Sequence, residues 1–261
     1  MPFRQTPLAH SFLAFDTATE LMSVALLHEG KVHVHDAPGG VQSQGAPGGA
    51  LASAALIPAI LGLLARAGIT LQQLDAIAFG RGPGAFTGLR TACSVAQGLA
   101  FGAGKPVLPI DTLLAVAEDA RTHQVAAAPA LRVWAAMDAR MNEVYAAQYH
   151  FDGALWHVLD APMLITPQAL HARWLVDEPA CVAGNALTAF GPLLATRTAL
   201  RVPQAAPRAT ALLTLAQAMW SAGGAVDAAL ALPLYVRDKV AQTTLERDAA
   251  RALKLAAETS P

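Results

Sequence analysis

A short apolar strand, Asp75 to Gly80, runs into Gly80-Arg-Gly-Pro-Gly-Ala-Phe-Thr-Gly-Leu-Arg90 and then into a helix-forming stretch from about Gly88 to Gly104. Strand, glycine-rich turn and helix commit this part of the chain to an α/β unit. Such a turn presents backbone amides at a helix start, where an anion can meet them. Thr87 is placed to cap the helix through its hydroxyl, which aims the N–H groups from Gly88 onward into the loop. Pro83 stiffens the turn, and Gly82 and Gly84 permit positive φ. Two readings stand: a cradle for phosphate or carboxylate, or a tight turn that lets helix and sheet approach closely. The segment is not a P-loop, because no Gly-Lys-Ser/Thr follows, nor is it read as a dinucleotide fingerprint.

The flanking sequence repeats one order twice. Phe12 to Asp16, Leu21 to His28 and Lys31 to Asp36 read as an antiparallel meander with a tight turn at Glu29-Gly30. Ala37 to Gly49 reads as a loop, and Leu51 to Ala67 as a helix stopped by Gly68. Pro106 to Ile110 reads as a strand, and Asp111 caps a helix through Arg121. The pattern then restarts. Leu131 to Ala139 pairs with Glu143 to His150, and a third strand follows Asp152-Gly153. Thr166-Pro167 opens a helix by its capping hydroxyl and first-turn proline. The expectation is α/β, two ribonuclease-H-like domains: residues 1–115, and residues 116–206, with a helix at about 207–222 that can pack back on the first. Residues 238–261 form a charged, alanine-rich tail.

Hydrophobic residues make up 54% of the 261 residues, which excludes global disorder. Net charge is −1, with no block of Lys or Arg, so a chain gripping nucleic acid by itself is not expected. Cys93 and Cys181 have no spaced companions for zinc or a disulfide framework. The start carries no signal-peptide pattern, and the apolar run Ala50 to Ala65 is short for a membrane span. A reduced, cytoplasmic setting is expected.

Four segments stand in order along the chain: Phe15-Asp-Thr-Ala-Thr19, the Gly82-Pro-Gly-Ala-Phe-Thr-Gly-Leu-Arg90 loop, Met137-Asp-Ala-Arg-Met-Asn-Glu-Val-Tyr145, and Pro233-Leu-Tyr-Val-Arg237. Together they resemble the TsaB (YeaZ) family, in which serine is usual where this chain has Ala85. The resemblance spans about Phe12 to Arg237. It implies the actin-like superfamily fold and a non-catalytic scaffold in bacterial tRNA threonylcarbamoyladenosine synthesis. The implied partners are the catalytic paralogue TsaD and the ATPase TsaE, with TsaC supplying the adenylate. A homodimer is implied when the chain is alone, and tRNA is met only through the complex. ATP and metal belong to the partners, and no cofactor is expected in this chain. Two other readings remain: a nucleotide-binding enzyme of the superfamily, and a glycoprotease-like peptidase.

The residues bear on these alternatives. The metal-bearing paralogue uses His-x-x-x-His on an early helix, where i and i+4 share a face. Ala50 to Ala65 holds no His, Asp, Glu or Cys, so no metal is expected there. The first-strand turn reads Asp16-Thr17-Ala-Thr-Glu20, without the glycine that admits phosphate, and Glu20 would repel one. Asp16 either holds a hydrated magnesium or caps the turn. With Gly82, Gly84, Thr87 and Gly88, Asp16 and Thr17 make a degenerate phosphate loop or anion cradle. Asp138 to Glu143 reads as a structural hairpin in which Arg140 and Glu143 pair. No catalytic constellation is assigned. The resemblance places the partner interface on two helices, with Leu51, Leu56, Ile57, Ile60, Leu61 and Leu64 on the first and Ala92, Ala96 and Ala100 on the second; ordinary core packing is the other reading of the alanine row. Ser94, Gly98 and Gly102 form a further small-residue row on the second.

Overall fold

The computed structural model describes residues 10–38, 49–123 and 130–237. The tail expected at 238–261 lies outside them. Two five-stranded sheets dominate. The first contains β1 (Phe12–Asp16), β2 (Leu21–His28), β3 (Lys31–Pro38), β4 (Ala76–Gly82) and β5 (Val107–Asp111) in the order β3-β2-β1-β4-β5. β1, β2 and β3 are antiparallel neighbours, and β4 and β5 run parallel to β1. The second contains β6 (Leu131–Asp138), β7 (Val144–Phe151), β8 (Trp156–Ile165), β9 (Cys181–Ala183) and β10 (Leu200–Val202) in the order β10-β9-β6-β7-β8. It repeats the same scheme: an antiparallel meander, then parallel additions beside its first strand. Each half thus has the ribonuclease-H-like order that the doubled sequence pattern predicts.

Helices cover both faces of each sheet. α1 (Gly49–Ala67) and α2 (Phe86–Ala103) pack on one face of the first sheet, through Leu56, Ile60, Leu63, Ala92, Ala96 and Ala100 against Leu13, Phe15, Val24, Ile77 and Phe79. α6 (Ala209–Ser221) returns from the far end of the chain to the opposite face, placing Leu212 and Leu215 on Phe12, Ala25 and Ala78. In the second half, α4 (Pro167–Val176) and the short α5 (Ala186–Phe190) cover one face around Trp134, Leu170 and Trp174. The Thr166 hydroxyl accepts from Ala169 N at 3.2 Å, as its capping position predicts.

α3 (Thr112–His123) lies between the sheets. Leu113, Val116 and Ala120 face the second sheet, while Ala115 joins the cluster under α6. The division expected at residues 115 and 116 falls inside this helix, because one helix supplies core to both halves. Buried polar pairs fix it. Glu118 bonds Arg121 and Trp156 Nε1, and Asp119 bonds Arg208 and Ala206 N.

Candidate functional site

The two halves meet at a cleft of about 280 Å³. Its walls are the β1–β2 turn, the glycine loop, the β6–β7 hairpin and the segment after α6. Glu20, Gly84, Asp138, Arg140, Tyr235 and Arg237 are among its lining residues.

Asp16, at the end of β1, is fully buried. Its Oδ1 accepts from Ala18 N at 2.6 Å, and its Oδ2 accepts from the Thr112 hydroxyl at 3.1 Å, which itself accepts from Gly82 N. Of the two sequence-based roles, the geometry is that of a turn cap. Burial pushes the Asp16 carboxyl up to about 7, against the opposing pull of the Ala18 and Thr112 bonds.

The glycine loop is filled by the chain itself. Gly88 lies so close to the β1–β2 turn that a Cβ there would sit 1.9 Å from the Thr17 carbonyl oxygen. A Cβ on Gly84 would sit 2.6 Å from that of Ala18. The Thr17 hydroxyl donates to Gly88 O at 2.7 Å, and Ala85 N donates to Ala18 O at 2.8 Å. Gly82 has φ +117 and lies against the Leu234 carbonyl, while Leu234 N donates to Arg81 O at 2.7 Å. Gly84 and Gly88 are thus the points where the helix start and the β1–β2 turn approach most closely.

Thr87 does not cap α2. The helix begins two residues earlier than expected, at Phe86, and its N-cap is Ala85, which has no side-chain oxygen. Thr87 is exposed inside the first turn and accepts, at its backbone carbonyl, from the Thr91 hydroxyl. Packing of Gly88 on Thr17 sets where the helix starts, and the preference for a capping hydroxyl yields to it.

The hairpin also departs from expectation. Arg140 and Glu143 do not pair. Arg140 reaches across the cleft to Glu20 at 2.5 Å and back to Asp138 at 3.3 Å. Glu143 pairs instead with Arg237 at 2.8 Å. Arg140, Met141 and Asn142 are all left-handed, with φ of 63, 54 and 59. For the first two this costs roughly 1–2 kcal/mol each, so the turn needs support from outside. Arg237 gives it, donating to Ala139 O at 2.9 Å and to Met141 Sδ at 3.0 Å. The cation that Glu20 meets lies a whole domain away in sequence, and local spacing favoured the nearer Glu143.

The expected interface residues separate into two groups. Leu56, Ile60, Leu64, Ala92, Ala96 and Ala100 are buried between the helices and the first sheet, so they are core. Ile57 and Leu61 are exposed, at 43% and 51%. Leu51 lies in the first turn of α1, and its side chain is outside the described residues. The apolar centre of the sheet face claims the larger stripe of α1 and the alanine row of α2. What α2 leaves outside is the other row, Ser94, Gly98 and Gly102, with Phe101 exposed at 63% beside it. A Cβ on Gly98 or Gly102 would meet nothing within 4 Å. Phe101 was legible in principle: it lies three residues after Gly98 on the same stripe.

Among the described residues, no three His, Cys, Asp or Glu side chains cluster as a metal site, and no helix is long and apolar enough to cross a membrane.

A family model described as TsaD, tRNA N6-adenosine threonylcarbamoyltransferase, matches residues 29–244. The tRNA threonylcarbamoyladenosine biosynthesis protein TsaB of Haemophilus influenzae is 35% identical over 241 residues, covering 88% of this chain and 94% of that protein. TsaB of Escherichia coli K12 is 34% identical, covering 88% and 95%. The solved structure of YeaZ from Pseudomonas aeruginosa superposes with a TM-score of 0.75 at 38% identity, covering 87% of this chain and 99% of that one.

Proposed function

The chain belongs to the TsaB family, and on that premise we propose that it is a non-catalytic scaffold of tRNA threonylcarbamoyladenosine synthesis that docks the catalytic paralogue TsaD through the exposed face of α1 and α2. TsaE joins that pair, TsaC supplies the adenylate, and tRNA is met through the assembly. A second copy of the chain takes the same face when the partner is absent.

The observation that carries this is the exposed stripe of Ile57, Leu61, Ser94, Gly98, Phe101 and Gly102. Two exposed aliphatics on α1 and an exposed phenylalanine on α2 accompany a row on α2 without bulky side chains. Helices of another chain can approach such a row to close packing distance, and aromatic anchors in a small-residue setting suit a central contact. A scaffold role is supported by the cleft: the turn glycines pack against Thr17 and Ala18, and Arg140 occupies the mouth by its bond to Glu20.

The test is reconstitution with TsaC, TsaD and TsaE, with and without this chain, scored as modified tRNA. The expected result is a product that depends on the chain. Equal product in its absence, or tight magnesium-ATP binding by the isolated chain, would overturn the reading.

A further inference from the structure

The segment after α6 runs along α2 and then over the cleft, tied at several points, with Leu234 N bonded to Arg81 O of β4 between them. The Ala231 carbonyl accepts from Gln97 Nε2 at 3.1 Å and Cys93 Sγ at 3.0 Å, both on α2. Tyr235 packs on Phe86 with the rings tilted and their centroids 5.3 Å apart, and its hydroxyl accepts from Arg90 Nε at 3.1 Å. Arg90 in turn lies 3.8 Å over the Phe86 ring. Two residues further on, Arg237 holds the β6–β7 hairpin through Ala139 O, Met141 and Glu143. One short strap therefore joins α2 in the first half to a turn in the second.

That turn is the strained element of the cleft, with three consecutive non-glycine residues in the left-handed region. Strained turns persist where their surroundings over-determine them. Here the surroundings are Asp138, whose carboxylate accepts from Arg140 N at 2.8 Å, Arg237 from the strap and Glu20 from across the cleft. Removing a support from such a turn lets its backbone move towards commoner φ values.

We propose that the strap Ala231–Arg237 is a mechanical coupling between α2 and the β6–β7 hairpin, so that loosening the strap on α2 relaxes the hairpin and frees Arg140 from Glu20. A molecule seated against α2 is then read at the cleft. This last consequence rests on the docking proposed above; the coupling within the chain does not.

Hydrogen exchange on the full chain tests it. The Ala139 and Glu143 amides, which bond Glu143 O and Arg140 O, report on the hairpin. Arg237→Gln, at the hairpin end, is expected to speed their exchange about tenfold. The decisive variants are at the other end. Tyr235→Phe and Gln97→Leu touch only α2 and the strap, and each is expected to speed the same two amides about threefold. Amides of β1 should stay at the wild-type rate. Wild-type hairpin exchange in both α2-end variants would overturn the coupling and leave Arg237 a local staple. With TsaD added, co-elution and hairpin exchange are read separately. A docked complex with unchanged hairpin exchange would also overturn the coupling. Failure to co-elute would count against the docking reading, and the variant series would still decide the coupling.

Discussion

At Asp16 the fold holds a carboxyl against the solvation it would have in the unfolded chain. Its folded value of about 7 lies above the unfolded 3.8. The folded state therefore binds the proton more tightly between those values, and stability falls as pH rises from about 4 to about 7. The shift corresponds to at most about 4 kcal/mol. Asp16→Asn cannot ionise, though it loses an acceptor towards Thr112. Urea unfolding at pH 5 and pH 8 is expected to show a flatter pH dependence in the variant, with its deficit at pH 5 narrowed or reversed at pH 8. Gly88 is the opposite kind of residue, fixed by space and not by charge. Gly88→Ala drives a methyl into the Thr17 carbonyl, and a loss of about 2–4 kcal/mol in thermal or urea unfolding is expected. That this segment matters was legible from the spacing of its glycines. That its neighbour is the main chain of Thr17 and Ala18 was not, because the contact joins residues 71 apart in sequence.

At the level of elements, α1 and α2 show what an apolar pattern can and cannot reveal. Leu56, Ile57, Ile60 and Leu61 are adjacent pairs of like side chains, and no hydrophobicity scale divides them. The sheet does, taking Leu56 and Ile60 and leaving Ile57 and Leu61 in water. Ile57→Glu and Leu61→Glu are expected to abolish co-elution with TsaD while the unfolding midpoint stays within a few degrees of wild type. Leu56→Ala should do the reverse, costing about 2–5 kcal/mol of stability with the docking face intact. Gly98→Ala separates the effects most cleanly. The methyl enters open space on a helix, which should stabilise the free chain by about 0.5–1 kcal/mol and weaken pairing, measured by unfolding and by titration of the partner. The strand meanders were legible because tight turns and alternation declare themselves locally. β10, three residues long and paired through β9, carried no such signal.

On the scale of the whole molecule, the doubled order of elements was visible in the sequence, but the sharing between halves was not. α3 gives side chains to both cores, and Asp119 on it is tied to Arg208 just before α6. Arg208→Ala would leave a buried carboxylate without its guanidinium, at a cost of about 3 kcal/mol. Because that pair sits where both halves share a helix, urea unfolding followed by tryptophan fluorescence and by circular dichroism should still give one coincident transition. The return of α6 to the first sheet has a consequence for synthesis. Residues 112–202, which carry α3 and every strand of the second sheet, leave the ribosome before the layer that closes the back of the first. Domains commonly fold in the order in which they emerge. In this chain the strands of the second sheet are all made before that layer, and β1 to β4 wait, one face uncovered, for a helix made more than a hundred residues after them.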